Sequence, residues 1–206
     1  MVPDLTPMLA ERGQPTGSLD RWAAEWKLDG WRCTAAVRDG RVTVRTRRGH
    51  DITDRLPGVE ALTGMGREVL LDGELVAGAG RASDFYALAP RLAGRSHRPA
   101  APLSFWAFDL LWLDGELLTG RPYVERREAL ESLTLAGPWG VVPRYPGGDV
   151  ADLLAACVEH DVEGVVLKRL GSRYYPGERR RCWMKVKAPG WAAVHAQRRR
   201  PPLVGY

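Results

Sequence analysis

The chain has 206 residues, with 30 Lys plus Arg against 25 Asp plus Glu for a formal net charge of +5, and it is 45% hydrophobic and 27% charged. Those proportions belong to an ordinary globular domain and exclude a disordered tail or a collagen-like repeat; no apolar run approaches the ~20 residues that a membrane helix needs. Length alone allows one large domain with a core that needs no disulfide staples, and three scattered cysteines (Cys33, Cys157, Cys182) and four dispersed histidines lack metal-ligand spacing and suit reduced thiols in a cytoplasm.

In chain order, residues 1–24 read as an irregular lead-in containing Pro3, Pro7, Gly13, Pro15 and Gly17, without the basic-then-apolar order of a secretory signal. Residues 33–46 hold two β-rich runs separated by Asp39-Gly40, a hairpin turn because both turn positions need positive φ. A polar loop over 47–54 follows. Residues 69–76 read as a buried strand interrupted at its centre by Asp72-Gly73-Glu74. A helix is expected over 83–93 with Ser83 as N-cap, then a connector over 94–102. Residues 103–113 form a long apolar strand ended by Asp114-Gly115, and 122–133 an amphipathic helix with proline at its start. A short strand over 141–145, a helix over 150–160 and strands over 164–168 and 183–187 complete the pattern, followed by a tail carrying Arg198-Arg199-Arg200. Strands outnumber helices and hairpins favour antiparallel pairing, so the fold class is α+β.

The basic residues carry the sharpest signal. Four are lysines (Lys27, Lys168, Lys185, Lys187) and 26 are arginines. A plain surface charge tolerates arginine, whereas a lysine is a compact point charge that can lose its proton and become a nucleophile. Lys27 lies in Glu25-Trp26-Lys27-Leu28-Asp29-Gly30-Trp31-Arg32, where the bland alternative is a surface turn. Asp72-Gly73-Glu74 places carboxylates in an apolar strand, which is costly unless they are paired or ligated. In Phe105-Trp106-Ala107-Phe108-Asp109, alternation sets Phe105, Ala107 and Asp109 on one face and Trp106 and Phe108 on the other; such aromatics serve either as core or as a platform for a base. Period two over 163–169 sets Glu163, Val165, Leu167 and Arg169 on one face. Lys185 and Lys187 share a strand face, either as a phosphate site or as a basic edge.

The order of these five motifs resembles that of the covalent nucleotidyltransferases, and the chain over about 5–190 is similar to the adenylation domain of ATP-dependent DNA ligases. It looks closest to the ligase domains of bacterial end-joining enzymes, on Thr46-Arg47-Arg48-Gly49-His50-Asp51-Ile52-Thr53 and on the run from Tyr175 to Lys187. The resemblance implies mostly antiparallel sheets with flanking helices around a nucleotide cleft, and a reaction in which Lys27 takes AMP from ATP. AMP then passes to a DNA 5′-phosphate and the nick is sealed, in DNA repair. It further implies that Glu25 lies at the adenine pocket, Phe108 stacks on the base, and Arg32 and Glu74 contact the ribose. Arg47 would face the 5′-phosphate of the nick or the nucleotide; Lys185 and Lys187 would hold the α-phosphate with Arg181 nearby; Glu163 and Asp29 would organise Mg²⁺ or Mn²⁺.

The expected partner is nicked or broken duplex DNA in the cytoplasm, at the bacterial nucleoid, with no membrane. The family continues into an OB-fold, for which the 19 residues after Lys187 are too few. The expectation is therefore an adenylation domain over 1–190 with a short basic tail over 191–206 and no OB-fold, and a separately encoded OB-fold or end-binding protein is a candidate partner. The alternatives are an RNA ligase or capping-type nucleotidyltransferase, and a non-catalytic DNA-binding remnant.

Overall fold

Residues 1–81, 84–92 and 102–191 are described by the computed structural model. In chain order the elements are β1 (Leu9–Arg12), β2 (Trp22–Trp26), β3 (Trp31–Arg38), β4 (Arg41–Thr46), β5 (Val69–Ala77), α1 (Phe85–Leu92), β6 (Leu103–Leu113), β7 (Glu116–Leu117), α2 (Tyr123–Glu131), β8 (Trp139–Val141), β9 (Arg144–Pro146), α3 (Val150–Glu159), β10 (Gly164–Arg169) and β11 (Arg179–Lys187). Two sheets result. The first has the order β1-β11-β10-β2-β9 and the second β4-β3-β5-β6-β7, with β8 added alongside β6. All pairings are antiparallel except β1 with β11 and β6 with β8. This is the α+β, mostly antiparallel architecture expected from the sequence.

The β3–β4 hairpin turns at Asp39 and Gly40, with φ of 48° and 69°, the left-handed pair that Asp-Gly supplies. Strand β6 occupies the expected residues and keeps the expected alternation. Leu103, Phe105, Ala107 and Asp109 are buried, while Ser104, Trp106 and Phe108 are partly exposed.

Several elements differ from expectation. Asp72-Gly73-Glu74 does not interrupt β5, which runs through it with a slip in its pairing to β6 between Asp72 and Gly73. Gly73 is needed there because a Cβ would come within 2.4 Å of the Phe105 ring and 2.7 Å of the Trp106 carbonyl oxygen. The lead-in over 1–24 is not irregular throughout: β1 lies wholly inside it, and it is overlapped at its end by β2. In β2, Ala23, Ala24 and Glu25 are all buried, so no alternation marks the strand, and its identity comes from pairing with β9 and β10. The single strand expected over 141–145 is two, one in each sheet: β8 pairs with β6, and β9 with β2. Pro143 lies between them and has no N–H with which to continue a ladder. Helix α1 lies within the expected span, but its proposed N-cap Ser83 is outside the described residues, as is the tail beyond Trp191.

Helix α3 covers the first sheet, packing Leu153 and Cys157 against a cluster with Val165, Leu167, Met184 and Val186. A large cluster including Ala35, Leu71, Phe105 and Leu110 fills one side of the second sheet. A third, with Met8, Leu70, Leu111, Trp112, Tyr174 and Trp183, joins residues of both sheets. Gly73→Ala should lower the stability by about 1–3 kcal/mol, because neither the buried ring nor the backbone oxygen can yield cheaply. Denaturant unfolding measures this, and an unchanged midpoint would contradict the packing described.

Candidate active site

Three strand ends of the first sheet meet at one edge: β2 ends at Trp26, β10 begins at Gly164 and β11 ends at Lys187. Gly164 is paired with Lys187, and Val165 with Trp26. The Lys27 N–H donates to the Gly164 carbonyl at 2.8 Å, which fixes the residue just beyond β2. Its ammonium lies 2.5 Å from Glu163 Oε2, while Lys187 Nζ lies 3.3 Å from Glu163 Oε1. One carboxylate therefore holds two of the four lysines. Burial on its own would raise the Glu163 carboxyl, but Lys27 and Lys187 outweigh it and hold it below its ordinary value. Lys185 belongs to the same cluster: burial lowers its pKa, and repulsion from Lys27, Arg179 and Arg12 lowers it further against the opposing pull of Glu163.

Glu163 reaches this position because strand alternation does not extend to it. Val165 and Leu167 face the α3 core as expected, but Gly164 adopts φ 150° and turns the preceding residue away from them. A Cβ at Gly164 would come within 2.1 Å of the Val186 carbonyl oxygen. The expectation that Glu163 shares a face with Val165 and Leu167 is thus corrected.

The loop after Lys27 packs on β5. A Cβ at Gly30 would lie 2.2 Å from the Leu75 carbonyl oxygen, and the Gly30 N–H donates to Glu74 Oε1 at 3.1 Å. Burial, with the Asp29 carboxylate adding to it, pushes the Glu74 carboxyl up to about 7 despite the opposing Lys27, Arg32 and Gly30 N–H. Asp29 therefore stands on the Glu74 side of the loop, its N–H bonded to the Gly80 carbonyl at 3.2 Å.

A second cluster lies between the sheets. Arg32 forks onto the fully buried Asp72 with two 2.6 Å bonds, and its guanidinium lies 4.4 Å from the Phe108 ring centroid. Lys168 is buried, donating to Glu25 at 2.7 Å and to the Phe108 carbonyl at 2.8 Å. Its ammonium is 4.2, 4.5 and 5.2 Å from the ring centroids of Trp183, Phe108 and Tyr123. Burial lowers the Lys168 pKa, and Glu25 opposes that shift. Glu25 is only 2% exposed, with Oε1 accepting from Tyr123 and Arg127 and Oε2 from Lys168. Its side chain is enclosed by these three partners.

The structure thus brings Lys27, Glu163, Lys185 and Lys187 into one cluster, Glu74 and Asp29 into the adjoining loop contact, and Glu25, Arg32 and Phe108 into the second cluster. Arg47 and Arg181 stand apart. Arg47 is exposed just after β4, with its N–H bonded to the Arg32 carbonyl at 2.9 Å, and the Arg181 side chain is 83% exposed, 3.8 Å from Glu11. Sequence reasoning singled out Lys168 and Asp72 without giving either a role, and it missed Tyr123, Arg126 and Arg127; the need of a buried Asp72 for a partner is met by Arg32. The available signal was the stripe Tyr123, Arg126, Arg127 and Leu130, a helical core pattern with arginines at two of its four positions.

The sequence profile described as ATP dependent DNA ligase domain matches residues 7–187. The chain belongs to the ATP-dependent DNA ligase family. It is 40% identical over 188 residues to the multifunctional non-homologous end joining protein LigD of Mycobacterium bovis, covering 89% of this chain and 24% of that protein. It is 38% identical to DNA ligase 1 of Korarchaeum cryptofilum, covering 89% of this chain and 36% of that ligase. The solved ligase domain of M. tuberculosis LigD superimposes with a TM-score of 0.74 at 38% identity, covering 89% of this chain and 60% of that one. A mycobacterial DNA ligase D complexed with ATP and MES gives 0.73 at 38% identity over the same shares. The chain therefore spans about a quarter of the length of the LigD proteins it matches.

In this ligase domain the raised Glu74 pKa has a thermodynamic consequence. The folded state binds that proton more tightly than the unfolded chain does, so its contribution to stability declines as pH rises from 4.5 to about 7. Glu74→Gln should flatten this part of the stability–pH curve in thermal unfolding, and an unchanged slope would contradict the assignment.

Proposed function

We propose that this chain carries out the adenylation chemistry of an ATP-dependent DNA ligase, with Lys27 as the nucleophile. Once the Lys27 ammonium has given a proton to solvent, the Nζ lone pair forms a bond to the α-phosphorus of ATP, the bond to the pyrophosphate oxygen breaks, a further N–H proton passes to solvent, and a phosphoramidate with AMP results. An oxygen of a DNA 5′-phosphate then displaces Lys27 from that AMP. Finally the 3′-hydroxyl across the nick attacks the activated phosphate, loses its proton and releases AMP. Each displacement needs alignment and charge neutralisation more than new covalent machinery.

The observation that carries this reading is the sharing of Glu163 by Lys27 and Lys187, with Lys185 alongside. Like charges gathered at the end of a sheet repel, and an incoming polyphosphate relieves that repulsion. Lys185 and Lys187 are assigned to the α-phosphate, with Arg181 at the approach and Arg47 facing the nick 5′-phosphate. Phe108 is assigned to the base, with Glu25 behind it, and Arg32 and Glu74 to the ribose. Arg32 Nη1 makes no hydrogen bond among the described residues and remains a donor for a ribose hydroxyl.

Among the described residues no group of three or more His, Cys, Asp or Glu side chains converges on a metal site. The hard oxygens of Glu163 and Asp29 nevertheless fit a divalent cation that takes most of its ligands from substrate phosphates and water. When bound, Mg²⁺ or Mn²⁺ would supply charge neutralisation at the phosphates.

The adenylation unit is assigned to residues 1–190, acting on nicked or broken duplex DNA in the cytoplasm at the nucleoid, in DNA repair. The OB-fold that other members of the family carry would come from elsewhere in the same protein or from a separately encoded partner, alongside an end-binding protein. No helix of the described residues is long and apolar enough to cross a membrane.

Incubation with ATP and a divalent metal should add one AMP by intact mass, GTP should not substitute, and Lys27→Arg should abolish the adduct. Loss of the adduct from Lys27 on addition of nicked DNA but not nicked RNA tests the substrate; the reverse preference would make this an RNA ligase. Duplex binding should weaken steeply with salt, its log affinity falling by about 0.9 per neutralised phosphate for each log unit of salt. Salt-independent binding would remove the DNA backbone as the partner.

A further inference from the structure

Successive residues of a helix diverge by about 100°, and α2 uses this to bond strands of both sheets at once. Arg126 is fully buried and forks onto Asp109 of β6 through Nε and Nη2, both at 2.8 Å. Its Nη1 donates to the Arg121 carbonyl at 2.7 Å and the Ser172 carbonyl at 3.0 Å. Arg127, equally buried, turns to the other sheet. It donates to Glu25 of β2 at 3.1 Å and to Glu131 at 2.9 Å, and also bonds the Val142 carbonyl. Asp109 directly follows Phe108, and Glu25 precedes Lys27 by two residues. Each arginine thus grips a buried carboxylate next to a residue assigned to the nucleotide, and the two carboxylates belong to different sheets.

Stability alone does not call for this arrangement. Buried ion pairs are often matched or exceeded by apolar side chains of similar volume, because desolvation offsets most of the Coulomb attraction. Directional, forked bonds instead specify where the bonded strands lie. We propose that Arg126 and Arg127 are positioning residues, a two-handed clasp that fixes the base-side wall (β6, Phe108) relative to the nucleophile-side wall (β2, Lys27). This rests on the assignment of Lys27 and Phe108 above.

The two hands make separable predictions. Loosening Arg126 releases the strand that carries Phe108, so the apparent KM for ATP in single-turnover formation of the Lys27 adduct should rise about tenfold while the rate at saturating ATP changes little. Loosening Arg127 relaxes the strand that leads into Lys27, so the saturating rate should fall roughly ten- to a hundredfold, as expected when a reacting group is misplaced by about an ångström, while KM changes much less because Tyr123 and Lys168 still hold Glu25 behind the base. A purely structural role would move both parameters together.

The test uses the full chain with Arg127→Met, Arg127→Lys and the paired change Arg126→Met with Asp109→Leu. The paired change removes both buried charges together, so neither is left unpaired, although the Arg121 and Ser172 carbonyls lose a donor and the Leu110 N–H an acceptor. Thermal unfolding is recorded beside the kinetics. Where Arg127→Met does not fold, Arg127→Lys decides, with partial recovery of the rate expected. Folded variants that match wild type, or that lose KM and rate in parallel, would overturn the clasp. Failure of the wild-type chain itself to form the adduct would instead overturn the proposed function.

Discussion

The site depends on one carboxylate pinned between two lysines that are remote in sequence. Glu163 can meet Lys27 and Lys187 only because β2, β10 and β11 are adjacent and end at the same edge, and because Gly164 lets the chain swing the glutamate out of the strand pattern. Remove either condition and the lysines become ordinary surface charges. The sheet thus converts three motifs scattered along the chain into a single electrostatic object. Its strength comes from partial burial, where opposite charges interact more strongly than they would in water.

Behind this edge, charge is handled differently. Asp72, Asp109, Glu25 and Lys168 are all buried, and each is met by a partner with directed hydrogen bonds: Arg32 on Asp72, Arg126 on Asp109, and Lys168 and Arg127 on Glu25. Leaving any one of these unpartnered would cost about 3–5 kcal/mol, so the set is interdependent. The chemistry assigned to Lys27 is carried by a frame whose buried carboxylates are each paired with a cation. This division also separates the two kinds of lysine: Lys168 is locked among aromatic rings, whereas Lys27 and Lys187 are partly exposed beside Glu163.

Much of the fold was legible where local rules suffice. The β3–β4 hairpin followed from Asp39-Gly40 between two β-rich runs, and β6 from a long apolar run whose residues 105–109 alternate. Strand β2 was hidden because three consecutive buried residues leave no period to read. The segment before and after Pro143 was taken for one strand because a sequence does not show which sheet each half joins. In the site, the rarity of lysine drew attention to Lys27, Lys185 and Lys187, which the structure gathers around Glu163. The swing of Glu163 was not legible, because it depends on how closely β11 approaches Gly164. Nor were the α2 arginines: a reading of helices by apolar periodicity discounts charged residues at core positions. Their presence at 126 and 127 becomes intelligible only once the carboxylates of two different sheets are seen to converge on one helix.

The account stands or falls on where the nucleotide becomes attached. Protein incubated with ATP and Mg²⁺, digested and sequenced by tandem mass spectrometry, should carry AMP on the ε-nitrogen of Lys27 and on no other lysine. AMP found on Lys168, Lys185 or Lys187 would contradict the claim that this strand edge exists to serve Lys27.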